Sequence, residues 1–376
     1  MLKFDRREFI AAASATALAT AARATAGTGF GAERYRNAVV IDAMGDIVDP
    51  DRTLPLEAPP SPRMLDDIKA SGVTAVSLTL SVGLSGDRMA KAIRLIAVLD
   101  EKCAAAPQAL LRVRTAADLK LAKKTGRLGL IYNLQDTELL ENDLGRVETL
   151  GLLGLRQIQL TYNIRNAAGD GSNEPANSGL SLFGRQLVEE LERQRIVMDL
   201  SHGGQNTIAE AIARAKRPPV ISHTGCRDLI DLPRNVYDRE LRALADKGGV
   251  VGIYLMPFLV LKGVAHKEDL IRHLEHAVKV CGEDHVGIGS DNAISTTVID
   301  QAYRDAKRRS FETRSKQNVA APGEGPDSIE IIPEYNDPLR YLHLADDLAR
   351  RGWPAARIEK ILGANFARVY GEVWGA

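Results

Sequence analysis

Two histidines, His202 and His223, each end a short apolar run, and each directly follows a serine. The runs read RIVMDLSH and PPVISH, and a segment of helical composition, QNTIAEAIARAK, separates them. A buried strand, a crossover helix and a second buried strand form a βαβ unit, which would place both imidazoles at the C-terminal ends of neighbouring parallel strands. One such histidine often does no more than cap a strand. The repeated Ser-His pattern favours a metal site.

Other apolar runs also end in polar side chains, which add carboxylates and amides to the two histidines. Asp46 ends the first run and Asp291 ends the last. Further candidates at run ends are Asp42, Asn133, Gln135 and Tyr162. Imidazole nitrogens and carboxylate oxygens are the usual protein ligands of a hydrolytic zinc ion that keeps one position for water. The set predicts a zinc site in which Asp291 accepts a proton as that water attacks a carbonyl carbon.

Arg234, in the segment LPRNVYD, follows the second Ser-His pair in a loop at the same edge. A guanidinium at this position suits two-pronged binding of a substrate carboxylate. Taken alone, Arg234 would more simply form a surface ion pair. The substrate-binding interpretation depends on the neighbouring histidines.

Eight short β-rich runs alternate with helical stretches along the chain. They span residues 37–46, 73–80, 127–135, 155–163, 195–202, 218–223, 248–257 and 285–291. Strands that are apolar on both faces belong to parallel sheets covered by helices. Eight of them predict an α/β fold of the (β/α)8 TIM-barrel type, with the active site at the C-terminal strand ends.

Composition removes several classes of protein from consideration. The chain has 376 residues, of which 49 are basic and 49 acidic, so its formal charge gives no reason to expect nucleic acid as a partner. Its three cysteines are widely spaced and predict neither a zinc knuckle nor a disulfide framework. No GxGxxG follows the first run and no Walker A sequence occurs, so nucleotide binding has no support.

The first 26 residues have the pattern of an export signal. Arg6-Arg7 precede an alanine-rich apolar run, and Ala24-Thr25-Ala26 fits a cleavage site. We expect a twin-arginine signal at 1–26, a single barrel domain over 30–376, and a bacterial periplasmic or secreted mature protein without a membrane span. A frayed N-terminal helix is the alternative.

A polar segment, residues 294–338, follows the last run and contains RDAKRRSFETRSK and APGEGPDS. Its position after the eighth strand puts it at the catalytic edge of a barrel, where it would cover the mouth as a lid. A solvated insertion is an equally good interpretation of its composition.

Several segments resemble the membrane (renal) dipeptidase family of metallopeptidases, which have amidohydrolase-like barrels. They occur in the family's order and spacing and read SGLSLFGRQLVEEL, VMDLSH, PVISHTGCRDLIDLPRNVYD, GGVVGIYLMPFL, HVGIGSD and ILGANFARVYG. The resemblance implies a hydrolase of dipeptides with two glutamate-bridged zinc ions, and it implies a homodimer. It assigns His202 and His223 to one metal, Asp46 and Asp291 to the other, and Arg234 to the substrate carboxylate.

The chain departs from this family at three site positions. Met44 replaces the histidine of the first-strand His-x-Asp motif, and Gln135 replaces the bridging glutamate. Tyr162, next to Asn163, replaces a histidine that contacts the substrate. A thioether and a neutral amide are poor partners for two dications, so we expect one zinc, held by His202, His223, Asp46 and Asp291, with Gln135 beside it. Tyr162 is expected to donate a hydrogen bond to a developing oxyanion, with Asn163 also at the substrate.

Three hypotheses follow from these residues. The first is a metal-dependent hydrolase of a dipeptide or a similar small amide with a free carboxylate. The second is a one-metal hydrolase that acts on an N-acyl amino acid, an ester or a lactone. The third is a silent relative that binds a small molecule without turnover.

Overall fold

The computed structural model describes residues 29–80 and 86–375. The expected signal at 1–26 lies outside the described residues. The described residues form ten strands: β1 (Ile41–Asp46), β2 (Ala75–Thr79), β3 (Leu110–Arg112), β4 (Leu128–Leu134), β5 (Leu155–Gln159), β6 (Val197–Asp199), β7 (Val220–Thr224), β8 (Val250–Ile253), β9 (Val286–Ile288) and β10 (Asn292–Ala293).

Thirteen α-helices lie in the described part of the chain. They are α1 (Ala32–Asn37), α2 (Pro62–Ser71), α3 (Arg88–Ala105), α4 (Ala116–Thr125), α5 (Gly145–Leu152), α6 (Leu182–Gln194), α7 (Gln205–Arg214), α8 (Asp238–Asp246), α9 (Lys267–Cys281), α10 (Gln301–Lys316), α11 (Arg340–Arg350), α12 (Ala355–Glu359) and α13 (Asn365–Trp374). None of the described helices combines the length and apolar character needed to cross a bilayer.

The strands form one parallel sheet that curls back towards its start. Its order is β10-β1-β2-β4-β5-β6-β7-β8-β9, and β10 follows β9 directly in the chain. Since β9 pairs with β8 while β10 pairs with β1, this last stretch of chain joins both ends of the sheet. The predicted (β/α)8 barrel is confirmed, and each of the eight expected runs overlaps an observed strand.

The strand β3 was not among the eight expected runs. It pairs with the first residues of β4, from Leu128 to Leu130, whereas β5 pairs with β4 only from Tyr132 onwards. The short run therefore occupies an edge of β4 that the staggered start of β5 leaves open. Three residues with no alternating pattern give little signal for a strand.

The unit β6–α7–β7 places the two histidines as the sequence predicts. Helix α7 buries Ile208, Ala211 and Ile212, a spacing of three and four residues that forms one apolar face. The strands β6 and β7 are parallel neighbours, so their C-terminal ends lie at the same edge of the barrel. His202 and His223 are buried at this edge.

The C-terminal helix α13 closes the opposite end of the barrel. Phe366, Val369 and Tyr370 are fully buried and pack with Ile41 and Val197 of the strands in one apolar cluster. The Tyr370 hydroxyl donates to Gln157 Oε1 at 3.1 Å in the same interior. Because side chains of the described residues fill this end, we expect a ligand to enter the barrel from the C-terminal strand ends.

Residues 294–338, here named the covering segment, contain the 16-residue helix α10. Asp300 caps this helix by accepting from Tyr303 N at 2.8 Å. The Asn336 side chain bonds both the N–H and the carbonyl of Thr297, at 2.9 Å each, and so ties the end of the segment to its start. The segment thus has regular structure and internal ties in spite of its polar composition.

Candidate metal centre and substrate cavity

The two imidazoles meet at the edge of the barrel with their Nε2 atoms 3.0 Å apart. His202 follows β6 in a left-handed conformation (φ 62°), while His223 lies within β7. A non-glycine residue with positive φ is uncommon and is a frequent feature of functional sites. Whether these two nitrogens attract or repel each other depends on which nitrogen of each ring carries the hydrogen.

Buried Asp199 fixes the tautomer of His223. Its Oδ1 accepts from the backbone N–H groups of Ser201 and Ser222 at 3.0 Å each, and its Oδ2 accepts the hydroxyl hydrogen of Ser222. The Ser222 Oγ atom, having given its only hydrogen to Asp199, can only accept from His223 Nδ1 at 2.8 Å. His223 therefore carries its hydrogen on Nδ1 and has a lone pair on Nε2.

Asn163 fixes the tautomer of His202 in the same way. Its Nδ2 donates to the carbonyl of Val319 at 2.8 Å, which turns Oδ1 towards His202 Nδ1 at 2.5 Å. The amide oxygen also accepts from the Ser172 hydroxyl at 3.3 Å. His202 therefore donates from Nδ1 and, like His223, has a lone pair on Nε2.

Two lone pairs that face each other at 3.0 Å repel unless a cation lies between them. Burial, with the nearby Arg234 guanidinium, holds the pKa of both imidazoles well below 6.5, so a proton does not readily fill the gap. Two nitrogens bound at tetrahedral zinc lie about 3.3 Å apart, close to the observed separation. The donor chemistry of this pair fits one metal ion.

The carboxylates Asp46 and Asp291 form the other half of the site. Asp46 keeps contact with solvent although many protein atoms surround it, and desolvation together with the charge of Asp291 raises its pKa. Desolvation also raises the pKa of Asp291, against the opposing charges of Arg234, Lys307 and Arg314. Asp291 has φ 58°, so it adopts the same unusual conformation as His202.

Met44 and Gln135 contact each other at the two departures from the dipeptidase pattern. Met44 is 2 % exposed, and its sulfur lies 3.4 Å from Gln135 Nε2 and 3.8 Å from Asn133 Nδ2. The amides thus point hydrogens at the thioether. A neutral sulfur and two N–H donors attract no dication.

The acidic residues after β4 do not replace the missing ligands. The Glu138 carboxylate pairs with Arg88, and Asp136 accepts from the Glu138 backbone N–H at 3.0 Å. Among residues 29–80 and 86–375, no group of three or more His, Cys, Asp or Glu side chains is arranged to hold a metal ion. The described residues offer a cation the two Nε2 atoms of the histidine pair, but they do not bring Asp46 or Asp291 into one ligand group with that pair, as the sequence led us to expect, and they do not form a two-metal centre.

Arg234 lies beside the histidines with one donor unused. It is 3 % exposed, its Nη2 donates to the carbonyl of His223 at 3.4 Å, and its guanidinium lies 5.6 Å from the Tyr254 ring centroid. Its Nη1 is buried without a hydrogen-bond partner. A buried charged donor without a partner is costly and calls for a ligand.

A cavity of about 250 Å³ lies between these residues and the covering segment. Its floor includes His202, Arg234 and Asp291, and its roof includes Lys307 and Arg314 of α10. The roof cations are paired, Lys307 with Glu330 and Arg314 with Glu324. Arg234 is therefore the cavity-lining cation in the described chain that retains a buried donor for a ligand.

Tyr162 lies flat against one histidine and is held from above. Its ring stacks on His202 with centroids 4.2 Å apart and planes 24° apart. Its hydroxyl accepts from Arg314 Nη1 at 3.0 Å, so its own hydrogen is available to a ligand in the cavity. Tyr162 thus lies beside His202 at the cavity, and its expected role at a developing oxyanion stays a prediction.

Three of the side chains that the sequence offers as site candidates form hydrogen bonds within the protein. Asp42 is buried and accepts from Ser290 N at 2.7 Å and from Met44 N at 3.3 Å, which ties β1 to the end of β9. Asn133 donates to Ser77 Oγ at 2.8 Å, while its buried Oδ1 has no hydrogen-bond partner among the described residues. Both ends of the Asn163 amide are bonded within the protein, so it supports His202 and is not free to bind substrate.

Two supports of the site were missed from the sequence. Asp199 lies two residues before Ser201 in MDLSH, and a buried aspartate inside an apolar run was a usable signal. Arg314 is one of several basic residues in a polar helix, and the sequence pattern does not indicate which of them reaches the cavity. Only the folded arrangement brings it to Tyr162.

Comparison with known proteins agrees with the resemblance. A family profile described as membrane dipeptidase (peptidase family M19) matches residues 61–308. An uncharacterised protein in the pqqA 5' region of Klebsiella pneumoniae is 24% identical over 290 residues, which cover 74% of this chain and 94% of that protein. Dipeptidase 3 of Rattus norvegicus is 25% identical over 294 residues, or 76% of this chain, which spans about half of that longer protein (53%).

Solved structures share the fold. An amidohydrolase from Pseudomonas aeruginosa superimposes with a TM-score of 0.78 at 29% identity and covers 92% of this chain and 99% of its own. A metallopeptidase from Rhodobacter sphaeroides, liganded with a phosphinate mimic of the dipeptide L-Ala-D-Ala, gives a TM-score of 0.70 at 19% identity over 90% of this chain and 99% of its own.

The matched profile spans well over half of the chain, and the fold and its polar strand ends agree with it. The expectation of a hydrolase enzyme of metallopeptidase type is confirmed. The chain belongs to the membrane dipeptidase family, peptidase family M19.

Proposed function

We propose that this protein is a one-metal hydrolase that cleaves a dipeptide or a similar small amide with one free carboxylate. The observation that carries the proposal is the pair of facing Nε2 lone pairs on His202 and His223 beside the unpaired Nη1 of Arg234. The first group needs a cation and the second needs an anion. A carboxylate-bearing substrate next to a zinc ion satisfies both needs.

The histidine pair would hold the zinc, which when bound acts as a Lewis acid and makes a water molecule nucleophilic near neutral pH. Asp291 would accept the proton of that water, because burial has raised its pKa towards the range in which a base works at neutral pH. Tyr162 would donate its free hydroxyl hydrogen to the developing oxyanion. Asp46, whose pKa its neighbour Asp291 helps to raise, would lie on the carboxylate side of the metal, whereas Gln135, which turns its N–H to the Met44 sulfur, would not be a ligand.

Arg234 would bind and orient the substrate through its carboxylate. The cavity offers one unpaired cationic donor, which favours a substrate with a single anionic group at that end. The dipeptide mimic bound by the Rhodobacter sphaeroides metallopeptidase supports a substrate of this kind. An N-acyl amino acid carries the same carboxylate and is the nearest alternative, whereas family membership speaks against a silent binding protein.

The test compares a dipeptide with its C-terminal amide, which lacks the carboxylate. The zinc-loaded wild type is expected to show a kcat/KM about 100-fold higher on the acid, and Arg234→Met should lose that preference. Arg308→Met is the matched control, since Arg308 pairs with Asp327 outside the cavity lining. Equal rates on acid and amide in the wild type would contradict the carboxylate assignment.

Three further properties remain proposals. The Arg6-Arg7 pattern supports export to the periplasm, which the N-terminal sequence of the mature protein would test. The family supports a homodimer, which sedimentation would test. The number of zinc ions follows from elemental analysis of unstripped protein, and we expect about one per chain.

A further inference from the structure

Two adjacent residues after β5 connect the covering segment to one histidine. Asn163 Oδ1 accepts from His202 Nδ1 at 2.5 Å, while Nδ2 of the same amide donates to the carbonyl of Val319 at 2.8 Å. Tyr162 stacks on the same imidazole, and its hydroxyl accepts from Arg314. Arg314 is in the last turn of α10 and Val319 follows that helix. One imidazole is therefore held by two residues that also hold the roof of the cavity.

The Val319 carbonyl decides the orientation of the Asn163 amide. A backbone carbonyl only accepts hydrogen bonds, so the NH2 end must face it. Turned by 180°, the amide would present its oxygen to the Val319 oxygen and its N–H to the imidazole. Asn163 is fully buried, so water cannot compensate for such a mismatch.

The orientation of the amide in turn decides which nitrogen of His202 carries the hydrogen. With the Asn163 oxygen facing it, Nδ1 donates and Nε2 keeps its lone pair towards His223. A carbonyl in the covering segment thus sets the ligand form of a histidine that it does not contact. If the segment lifts, Asn163 loses this constraint.

We propose that Asn163 is a positioning residue that couples closure of the covering segment to cation binding at the histidine pair. Closure holds the His202 tautomer that leaves Nε2 free, and a bound cation holds the same tautomer and so favours closure. The coupling is reciprocal, as any linkage between two equilibria must be. This inference rests on the proposed metal site.

Two variants of Asn163 separate the two contacts. Asn163→Asp keeps an acceptor for His202 and replaces the donor to Val319 with a carboxylate oxygen, so it breaks the coupling and keeps the ligand oriented. Asn163→Ala removes both contacts and is expected to weaken zinc binding by about 10–100-fold. Tyr162→Phe keeps the ring stack and removes only the Arg314 contact.

Asn173→Ala is the matched control. The Asn173 amide donates to the carbonyl of Ala320 at 2.9 Å, so it ties down the same stretch of the covering segment. In the described structure the Asn173 amide does not bond to His202. Removal of this amide should speed hydrogen–deuterium exchange in the segment both with and without zinc. The factor by which zinc slows that exchange should stay the same.

The experiment measures hydrogen–deuterium exchange of the amides of residues 314–324 in chelator-treated protein, before and after addition of zinc alone. Zinc affinity is measured separately by competition with a chromophoric chelator. We expect zinc to slow exchange about tenfold in the wild type and in Asn173→Ala. In Asn163→Asp zinc should still bind, but exchange should no longer respond to it, and in Tyr162→Phe the response should shrink.

The outcomes separate the inference from the proposed function. Zinc that binds the wild type without slowing exchange overturns the coupling and leaves the metal site intact. Failure of the wild type to bind zinc overturns both. A zinc response of wild-type size in Asn163→Asp also overturns the coupling, and if that variant does not fold, a response of wild-type size in zinc-saturated Asn163→Ala does so.

Discussion

The histidine half and the carboxylate half of this site are built differently. His202 and His223 are each fixed by a buried partner that determines which nitrogen is free, so the two lone pairs converge. In the carboxylate half, by contrast, positions 44 and 135 hold a thioether and an amide that contact each other. The first half is ready to bind a cation, and the second has lost the groups that would bind one. A barrel edge can therefore lose one metal position without disturbing the other, because different strands support each position.

Removal of either imidazole should have the largest effect. His202→Ala and His223→Ala are each expected to abolish zinc binding, with affinity at least about 1,000-fold lower, because one imidazole cannot hold the ion alone. Asp46→Asn should cost only about tenfold. Metal content by elemental analysis checks both, with exposed His343→Gln as the control. Loss of zinc in Asp46→Asn but not in the histidine variants would reverse the comparison.

The double variant Met44→His with Gln135→Glu is designed to rebuild the second half. It supplies an imidazole and a bridging charge, so zinc content should rise from about one to about two ions per chain. We expect dipeptide hydrolysis to rise by about 100-fold, measured as kcat/KM. If the second ion binds without any gain in hydrolysis, the natural substrate is not a plain dipeptide.

A third comparison uses two buried aspartates: Asp199, which supports the histidine half of the site, and Asp42, which supports the half that contains Met44. Asp199→Asn removes the acceptor that orients Ser222 and His223, so zinc affinity should fall about 10–100-fold. Asp42→Asn should leave zinc affinity unchanged, since Asp42 contacts Ser290 and Met44 and neither histidine. Each variant is expected to lower the free energy of unfolding by about 2 kcal/mol, measured in urea. An equal fall in zinc affinity would show that the halves are not independent.

The smallest effect is the pH dependence of stability in chelator-treated protein. Both histidines have a folded-state pKa well below 6.5, so the unfolded chain binds protons first as the pH falls below 6.5, and stability is lost. Each histidine contributes at most about 1.4 kcal/mol per pH unit. Asp46 and Asp291, whose pKa is raised, act in the opposite direction as the pH falls further towards 3.8.

Urea unfolding at pH 7, 6 and 5 measures this dependence. The wild type should lose stability between pH 6.5 and 5, and the double variant His202→Asn with His223→Asn should lose much less. Parallel curves for the two proteins would mean that the imidazoles are not held neutral by the fold.

The sequence predicts the barrel well and indicates which strand ends come together, because both depend on local patterns. Apolar runs that end in Ser-His give strands, and the shared direction of parallel strands brings His202, His223 and Asp291 to one edge. The contacts that decide chemistry are less accessible to such reasoning. Val319 acts through its backbone carbonyl, which any residue supplies, and Arg314 is one of several basic residues on α10.

Met44 is a second example of a contact that sequence patterns do not reveal. The sequence shows that a histidine is absent, but only the packing shows that Gln135 turns an N–H towards the sulfur and so completes a neutral pair. The extra strand β3 was likewise set by the stagger between β4 and β5, which no local pattern reveals.

The support that Asp42 gives to β1 has a consequence for the history of the site. Asp42 holds position 44 through the backbone N–H of Met44 and the end of β9 through Ser290. Because Asp42 bonds the backbone at position 44 and not its side chain, that side chain can change while the barrel stays closed. Ligand identity at this position is thus separated from foldability, and substitution of this one side chain can remove or restore a metal ligand while the protein continues to fold.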